Sequence, residues 1–397
     1  FKLTGDAWTA DNGSSANLSI TQNTTIDLNG HTLTISKFGQ YFDVHEGAKL
    51  TIMDSKAPQE TVTTGGGLYG NKATLANDTL TYYITESTPT GTGTTETLKK
   101  HEVPLTGAGK ILCQEASAQA ILVKGTLELQ SGVLQNTGGQ HIVTVDRGTL
   151  DVNGGYIVGG GSDGTPGGGI YVDNGTVNIQ GGVIAANRGS SGGGIFFQNG
   201  TLNISGGAVT GNEVINGHSD NGGGIYVNSG TLNLSGGYVT NNCKNGNDAW
   251  QSDVNNTHGG GGITLANSSA MNMSGGYVTG NYSGLAGGGI YAGFHGNNVR
   301  FTMNGGTIAS NCAELGEGGG LRIAGGTNGV IQTTGKVYIT NNITNSNNDW
   351  GGGGIFVQEN GILTIMDALI TGNTAGGFGG GGSCGKGAVI FALDDIL

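Results

Sequence analysis

The sequence predicts an all-β solenoid, a single-stranded right-handed parallel β-helix with three short strands per coil. From Gly148 onward the chain repeats Gly-Thr-Leu-Asn-Ile-Ser-Gly-Gly, then an apolar-x-x-Asn element, then Gly-Gly-Gly followed by Ile or Leu. Fixed-period self-similarity of this kind is typical of solenoids, in which each repeat forms one layer. Right-handed winding follows from the strong preference of crossovers between parallel strands.

Alternation of apolar and polar residues divides each repeat into three strands. In residues 231–235 the leucines alternate with polar residues, which predicts a half-buried strand. A glycine turn at 236–237 precedes a second strand, 238–240, whose Val is expected to point inward and whose Tyr and Thr point outward. The third strand follows Gly-Gly-Gly, and in residues 225–227 Ile and Val are expected inward and Tyr outward.

The Asn of each apolar-x-x-Asn element is predicted to lie at a bend between strands. There its side-chain amide can bond the equivalent amides of the layers above and below. The predicted ladder consists of Asn187, Asn212, Asn242, Asn281, Asn311, Asn342 and Asn373.

Three regions are expected along the chain. Residues 1–60 form degenerate β-helix coils, and residues 106–397 form the regular β-helix with variable loops on one corner. Between them, residues 61–105 interrupt the repeat. Two alternating segments flank a Thr/Gly/Pro linker there, which predicts a β-hairpin near residues 80–103 that protrudes from the shaft.

Composition narrows the function classes. The chain has 397 residues, 83 of them glycine, and a net charge of −12, which disfavours nucleic acid and anionic membranes as partners. No apolar stretch is long enough to span a membrane as a helix. The four cysteines are too few for a disulfide framework. Cys243 and Cys312 fall two layers apart, roughly 9.6 Å, so we expect both to be free.

The Gly-Gly-Gly-Ile and apolar-x-x-Asn motifs resemble the repeats of chlamydial polymorphic membrane proteins and of β-helix surface proteins from Gram-positive gut bacteria. The resemblance covers residues 125–375 well and residues 1–60 weakly. It implies an extracellular or bacterial cell-surface location and, by association, adhesion. The broader pectate-lyase-like superfamily has the same architecture and includes lyases and glycosidases, so the resemblance also admits an enzyme.

Outward residues of the third strand predict an exposed row along the shaft. Aromatic rings spaced by one layer can form a platform for sugar rings or a partner protein, although aromatic residues also favour strands for packing reasons alone. Two tryptophans in the variable loops extend this surface. The predicted ligand-binding residues are Tyr171, Phe196, Tyr226, Trp250, Tyr291, Arg322, Trp350 and Phe356, with Thr264 in the same row.

An enzyme on this scaffold would need converging acidic residues. Asp248 and Asp253 could pair within one loop, and Glu314 and Glu317 within another, but nothing enforces their geometry and solvated loop charges explain these acids better. No His, Cys, Asp or Glu spacing indicates a metal ligand set, and no cofactor is expected, with a structural Ca²⁺ left open.

These observations favour a bacterial adhesin or binding module, monomeric, that recognises a host or environmental glycan or protein such as mucin or immunoglobulin. The alternative is a carbohydrate-active enzyme, a polysaccharide lyase or glycoside hydrolase. A third possible function is that of a spacer stalk.

Overall fold

In a computed structural model of the chain, the residues described are 1–8, 17–115, 117–214, 222–244, 259–294, 298–332, 336–346, 351–376 and 390–392. They form an all-β structure with large parallel sheets, compatible with the predicted parallel β-helix. Strands from successive repeats pair in register, so that each repeat lies on the one before it.

The first ladder of paired strands contains the Thr-Leu-Asn-Ile segments of the refrain. Its members are Thr24–Asp27, Lys49–Met53, Thr126–Leu129, Thr201–Ile204, Thr231–Leu234, Thr327–Ile331 and Ile362–Ile365. Four longer strands continue between two ladders and belong to both: Val143–Val152, Ile170–Ile179, Ala270–Thr279 and Val299–Ala309.

The second ladder follows the glycine turn. It contains Ala7–Trp8, Thr32–Ile35, Lys110–Cys113, Val133–Asn136, Tyr156–Val158, Val183–Ala185, Ala208–Thr210, Tyr238–Thr240, Val337–Thr340 and Leu369–Thr371. The third ladder, in the regular repeats, follows Gly-Gly-Gly. It contains Leu18–Ile20, Phe42–Val44, Ile121–Val123, Ile195–Phe197, Ile225–Val227, Ile263–Ala266, Ile290–Phe294, Leu321–Ile323, Ile355–Val357 and Ile390–Ala392.

A short ladder lies directly after the repeat Asn, where the sequence predicted only a bend. Its two-residue strands are Arg188–Gly189, Glu213–Val214, Cys243–Lys244, Tyr282–Ser283, Cys312–Ala313, Ile343–Thr344 and Thr374–Ala375. Two residues are too few to show the alternation by which strands are recognised in sequence.

Aliphatic side chains fill the interior of the stacked repeats. Leu232 and Leu234 are buried and alternate with half-buried Thr231 and Asn233, as predicted. The first residue of the third ladder is fully buried in every regular repeat from Ile170 to Ile355. Removal of this apolar surface from water is the main stabilising contribution to such a shaft.

The predicted asparagine ladder is confirmed. The Asn242 side-chain nitrogen donates to Asn281 Oδ1 at 3.1 Å and to the carbonyl of Val209 at 2.9 Å. Its oxygen accepts from the backbone and the side-chain nitrogen of Asn212, at 3.1 and 3.0 Å. Both donors and both lone pairs of the amide are therefore satisfied. The same side-chain bond links each neighbouring pair from Asn187 to Asn373, at 2.9–3.1 Å.

The last glycine of Gly-Gly-Gly is explained by contact with this ladder. A Cβ on Gly224 would lie 2.7 Å from the amide of Asn242, and one on Gly262 would lie 2.8 Å from the amide of Asn281. Contacts that short do not occur, so any larger residue would displace the amide and break its bonds. The Gly-Gly-Gly and Asn motifs are therefore two halves of one packing arrangement.

Residues 61–105 contain the predicted hairpin, but it does not protrude. Strands Thr61–Thr64, Thr74–Ala76, Thr79–Pro89 and Thr94–Pro104 form a separate antiparallel sheet. We call this segment the strap. Thr279 Oγ1 donates to the Thr85 carbonyl at 2.6 Å, and the Thr85 backbone nitrogen donates to Thr240 Oγ1 at 3.2 Å.

The strap runs along the shaft, across the second ladder. Leu80 and Val103 pack in one cluster with Val133 and Val158, whereas Thr94 near the other end hydrogen-bonds Thr340. The strand Thr79–Pro89 has 11 residues, and at about 3.4 Å per residue it spans roughly 34 Å. Seven layer spacings of about 4.8 Å give the same length, which matches the separation of its two contact regions.

The strap covers the outer face of the second ladder, so side chains that were expected to be exposed there are buried. Thr240 is fully buried, although alternation placed it on the outer face. Thr210, Thr279 and Thr340, at equivalent positions, are fully buried as well. Alternation distinguishes the two sides of a strand but does not reveal what packs on the outer side.

Candidate functional site

The residues of the predicted row do pair with one another from repeat to repeat along the third ladder. Tyr171 pairs with Phe196, and Phe196 pairs with Tyr226. Their rings stack nearly parallel, with centroids 5.4 and 5.3 Å apart and interplanar angles of 4° and 9°. His141 extends the stack at 5.3 Å from Tyr171, and burial lowers its pKa to about 4. We call these four rings the aromatic stack.

Among the row residues whose burial is described, 171–356, accessibility is confined to one end, which corrects the expectation of an exposed row. Tyr171 and Phe196 are half-buried. Tyr226, Tyr291, Arg322 and Phe356 are 2%, 5%, 3% and 0% exposed. Ala266, Ala286 and Ala324 pack in one cluster with Tyr226 and Tyr291, so small residues help to bury these rings. Here aromatic residues serve mainly as packing.

Arg322 occupies a layer between two aromatic residues. Its guanidinium carbon lies 4.9 Å from the centroid of Tyr291 and 5.4 Å from that of Phe356, which is cation–π geometry. Arg322 donates to Glu317 Oε2 at 2.5 Å and to Gln358 Oε1 at 3.0 Å. Burial raises the pKa of Glu317, and the nearby Arg322 opposes that rise.

Of the four acids predicted as alternative catalytic residues, Glu314 and Glu317 lie in the described part of the chain, and they have different neighbours. Glu317 is 1% exposed and is held by Arg322. Glu314 is half-buried, and its carboxylate accepts from Asn345 Nδ2 at 3.0 Å. One acid therefore serves an internal ion pair and the other an inter-layer hydrogen bond.

Several predicted residues lie outside the described residues, namely Asp248, Trp250, Asp253 and Trp350. Among the described residues, no group of three or more His, Cys, Asp or Glu is placed to hold a metal ion. Cys113, Cys243 and Cys312 are buried and not disulfide-bonded, as expected for Cys243 and Cys312.

Sequence reasoning missed a second aromatic row. Tyr238, Tyr277, Thr307 and Tyr338 occupy equivalent outward positions on the second ladder. The Tyr238 and Tyr277 rings stack with centroids 4.8 Å apart. A signal was present, because Gly-Gly-Tyr-Val-Thr occurs at both 236–240 and 275–279. The position of this row beside the strap was not predictable from the repeat sequence.

No protein-family model, curated protein or solved structure matches this chain. The likeness to surface-protein repeats therefore rests on the motifs themselves. In the part of the chain that the structure describes, no helix has the length and apolar character that a membrane crossing requires.

Proposed function

We propose that the chain is a bacterial cell-surface or secreted binding module of the adhesin type, monomeric, that recognises a host or environmental glycan or protein. Its scaffold is a right-handed parallel β-helix with three main strands per coil and the short ladder as an addition at one bend. Right-handed winding is the general preference for parallel crossovers. The motif resemblance to surface proteins supports the extracellular location.

The accessible end of the aromatic stack carries this proposal. Tyr171 and Phe196 present ring edges at a fixed spacing of 5.4 Å, supported below by the buried ring of Tyr226. Rings held by stacking lose little conformational freedom on binding, which favours affinity. A carbohydrate-active enzyme is the alternative, and the contacts of Glu314 and Glu317 do not favour it.

The proposal is tested by screening the full chain against mucin glycans, other host glycans and immunoglobulin, with product analysis of the same samples. Tyr171→Ala together with Phe196→Ala should weaken the binding found by about tenfold or more, as expected for aromatic anchors. Phe38→Ala is the matched control, because Phe38 is 74% exposed on a distant repeat. Unchanged binding by the double variant would remove the stack from the site. New reducing ends or unsaturated uronates would indicate the enzyme.

A further inference from the structure

A groove runs along the shaft beside the end of the strap, away from the aromatic stack. Its volume is about 310 Å³, and Pro89 of the strap forms one side. Its other lining residues come from three successive repeats: 275–277, 306–307, and Lys336 with Tyr338. The groove therefore crosses three layers along the axis, about 10 Å in all.

Tyrosine rings and glycine backbone form most of the groove. Tyr277 is half-buried and stacks on Tyr238, which fixes its ring. Tyr338 is 9% exposed. Gly275, Gly276 and Gly306 contribute no side chain, so the groove stays open between the rings. An open, shallow site with fixed aromatic rings suits a chain of sugar rings, whose apolar faces pack on aromatic rings while their hydroxyls remain in water.

Lys336 gives the groove a positive charge. It is exposed, and the described part of the chain provides it with no ion-pair partner, whereas Lys49, Lys110 and Lys124 each pair with a carboxylate. The acid on the nearby strap strand, Glu86, is 4.0 Å from Lys99 and so is partly compensated. In a chain of net charge −12, an exposed ammonium that makes no ion pair with the described residues, beside aromatic rings, favours an anionic group in the ligand.

We propose that this groove is a binding site for an acidic oligosaccharide. One sugar ring packs on Tyr277, a neighbouring ring reaches Tyr338, and a sugar carboxylate or sulfate approaches the Lys336 Nζ. The site is separate from the aromatic stack. Its existence does not depend on the proposed adhesin function, because the two sites use different ladders.

The test measures binding of hyaluronan hexasaccharide, 3′-sialyllactose and chondroitin sulfate hexasaccharide to the full chain by calorimetry and NMR. Carboxyl-reduced hyaluronan hexasaccharide is the matched neutral ligand. At least one acidic probe should bind, and its neutral counterpart should bind about fivefold more weakly, the effect of one exposed charge pair. Lys336→Gln should weaken the acidic probe by a similar factor and leave the neutral one unchanged.

Three further variants make the outcome decisive. Tyr277→Ala should weaken acidic and neutral probes alike by about tenfold, with the melting temperature recorded to exclude unfolding. Lys56→Gln removes an exposed lysine on a distant repeat and should leave binding unchanged. Tyr171→Ala should also leave it unchanged. The proposal is overturned if no acidic probe binds, if Lys336→Gln and Lys56→Gln act equally, or if a protein ligand alone occupies the groove.

Discussion

At the residue scale, two asparagine ladders with different surroundings separate the effect of burial from that of bonding. Asn281 is fully buried and belongs to the inner ladder. Asn272 is exposed and donates to Asn233 Oδ1 at 2.9 Å on the outer face of the first ladder. Each amide bonds an equivalent amide one layer away, but water can replace the outer bond only.

Asn281→Ala should lower the free energy of unfolding by about 1–3 kcal/mol, because it leaves the buried amide of Asn242 and the backbone N–H of the same residue without an acceptor. Asn272→Ala is the control and should cost less than about 0.5 kcal/mol. Chemical denaturation of both variants measures the difference. Equal costs for the two would show that the inner ladder does not stabilise the shaft.

The buried pair of Arg322 and Glu317 gives a second residue-scale prediction. Arg322→Met should destabilise by about 3–5 kcal/mol, because Glu317 is left charged in an apolar site. Adding Glu317→Met should restore most of the loss. The deficit of the single variant should shrink as pH falls through the raised pKa of Glu317, since the protonated acid needs no cation. A double variant as unstable as the single one would contradict this.

The buried thiols should be chemically inert while the chain is folded. Burial raises the pKa of Cys243 and of Cys312 to about 12, so neither is a thiolate near neutral pH. The fourth cysteine, Cys384, lies outside the described residues and is replaced by Ser in this test. In that background, iodoacetamide near pH 8 should leave Cys113, Cys243 and Cys312 unmodified until denaturant is added. Rapid labelling of the folded chain would show that the layers around Cys243 and Cys312 open.

At the element scale, the strap is the feature that sequence patterns described only in part. Alternation predicted its two long strands, because period-2 patterning is local. Its position was not predictable, since Thr85 and Thr279 are 194 positions apart and Thr94 and Thr340 are 246 apart. Contacts between such distant residues leave no local signal. The same reason explains why the groove beside the strap was missed.

A carboxylate at the start of the strap should make the strap sensitive to acid. Glu60 accepts from His101 Nδ1 at 3.0 Å and from the Tyr82 hydroxyl. The hydrogen bond from His101 is the main cause that lowers the pKa of Glu60 below its usual value of 4.5. A lowered carboxyl pKa stabilises the folded strap above about pH 4.5, and this contribution is lost as pH falls through the lowered value.

Pepsin cleavage measures this directly, because the protease works in acid. Cleavage within residues 61–105 should accelerate between about pH 5 and about pH 3, before the shaft is cut. Glu60→Gln should already be cut faster at the higher pH and should show a smaller change with acidification. Equal acceleration in both proteins would assign the acid sensitivity to other groups, such as Glu213, which pairs with Lys72 of the strap.

At the scale of the whole molecule, the shaft was predictable and the covering of its surfaces was not. The glycine runs, the repeat asparagines and the inward aliphatic residues report local packing that recurs in each layer, so one repeat explains the next. The outer side of a strand carries no such constraint. Tyr226, predicted to be exposed, is buried in a cluster with small residues, and Thr240 lies under the strap.

Register between repeats is the property on which the ladders, the strap and both proposed sites depend, and a single disulfide measurement tests it. Thr201 pairs with Thr231 in the layer above, at about 4.8 Å, which is within the range of Cα separations that a disulfide bridges. In a Cys384→Ser background, Thr201→Cys with Thr231→Cys should oxidise to an intrachain disulfide without loss of the fold. Thr201→Cys with Asn272→Cys, two layers apart, should remain reduced. Oxidation of the second pair but not the first would contradict the stacked register.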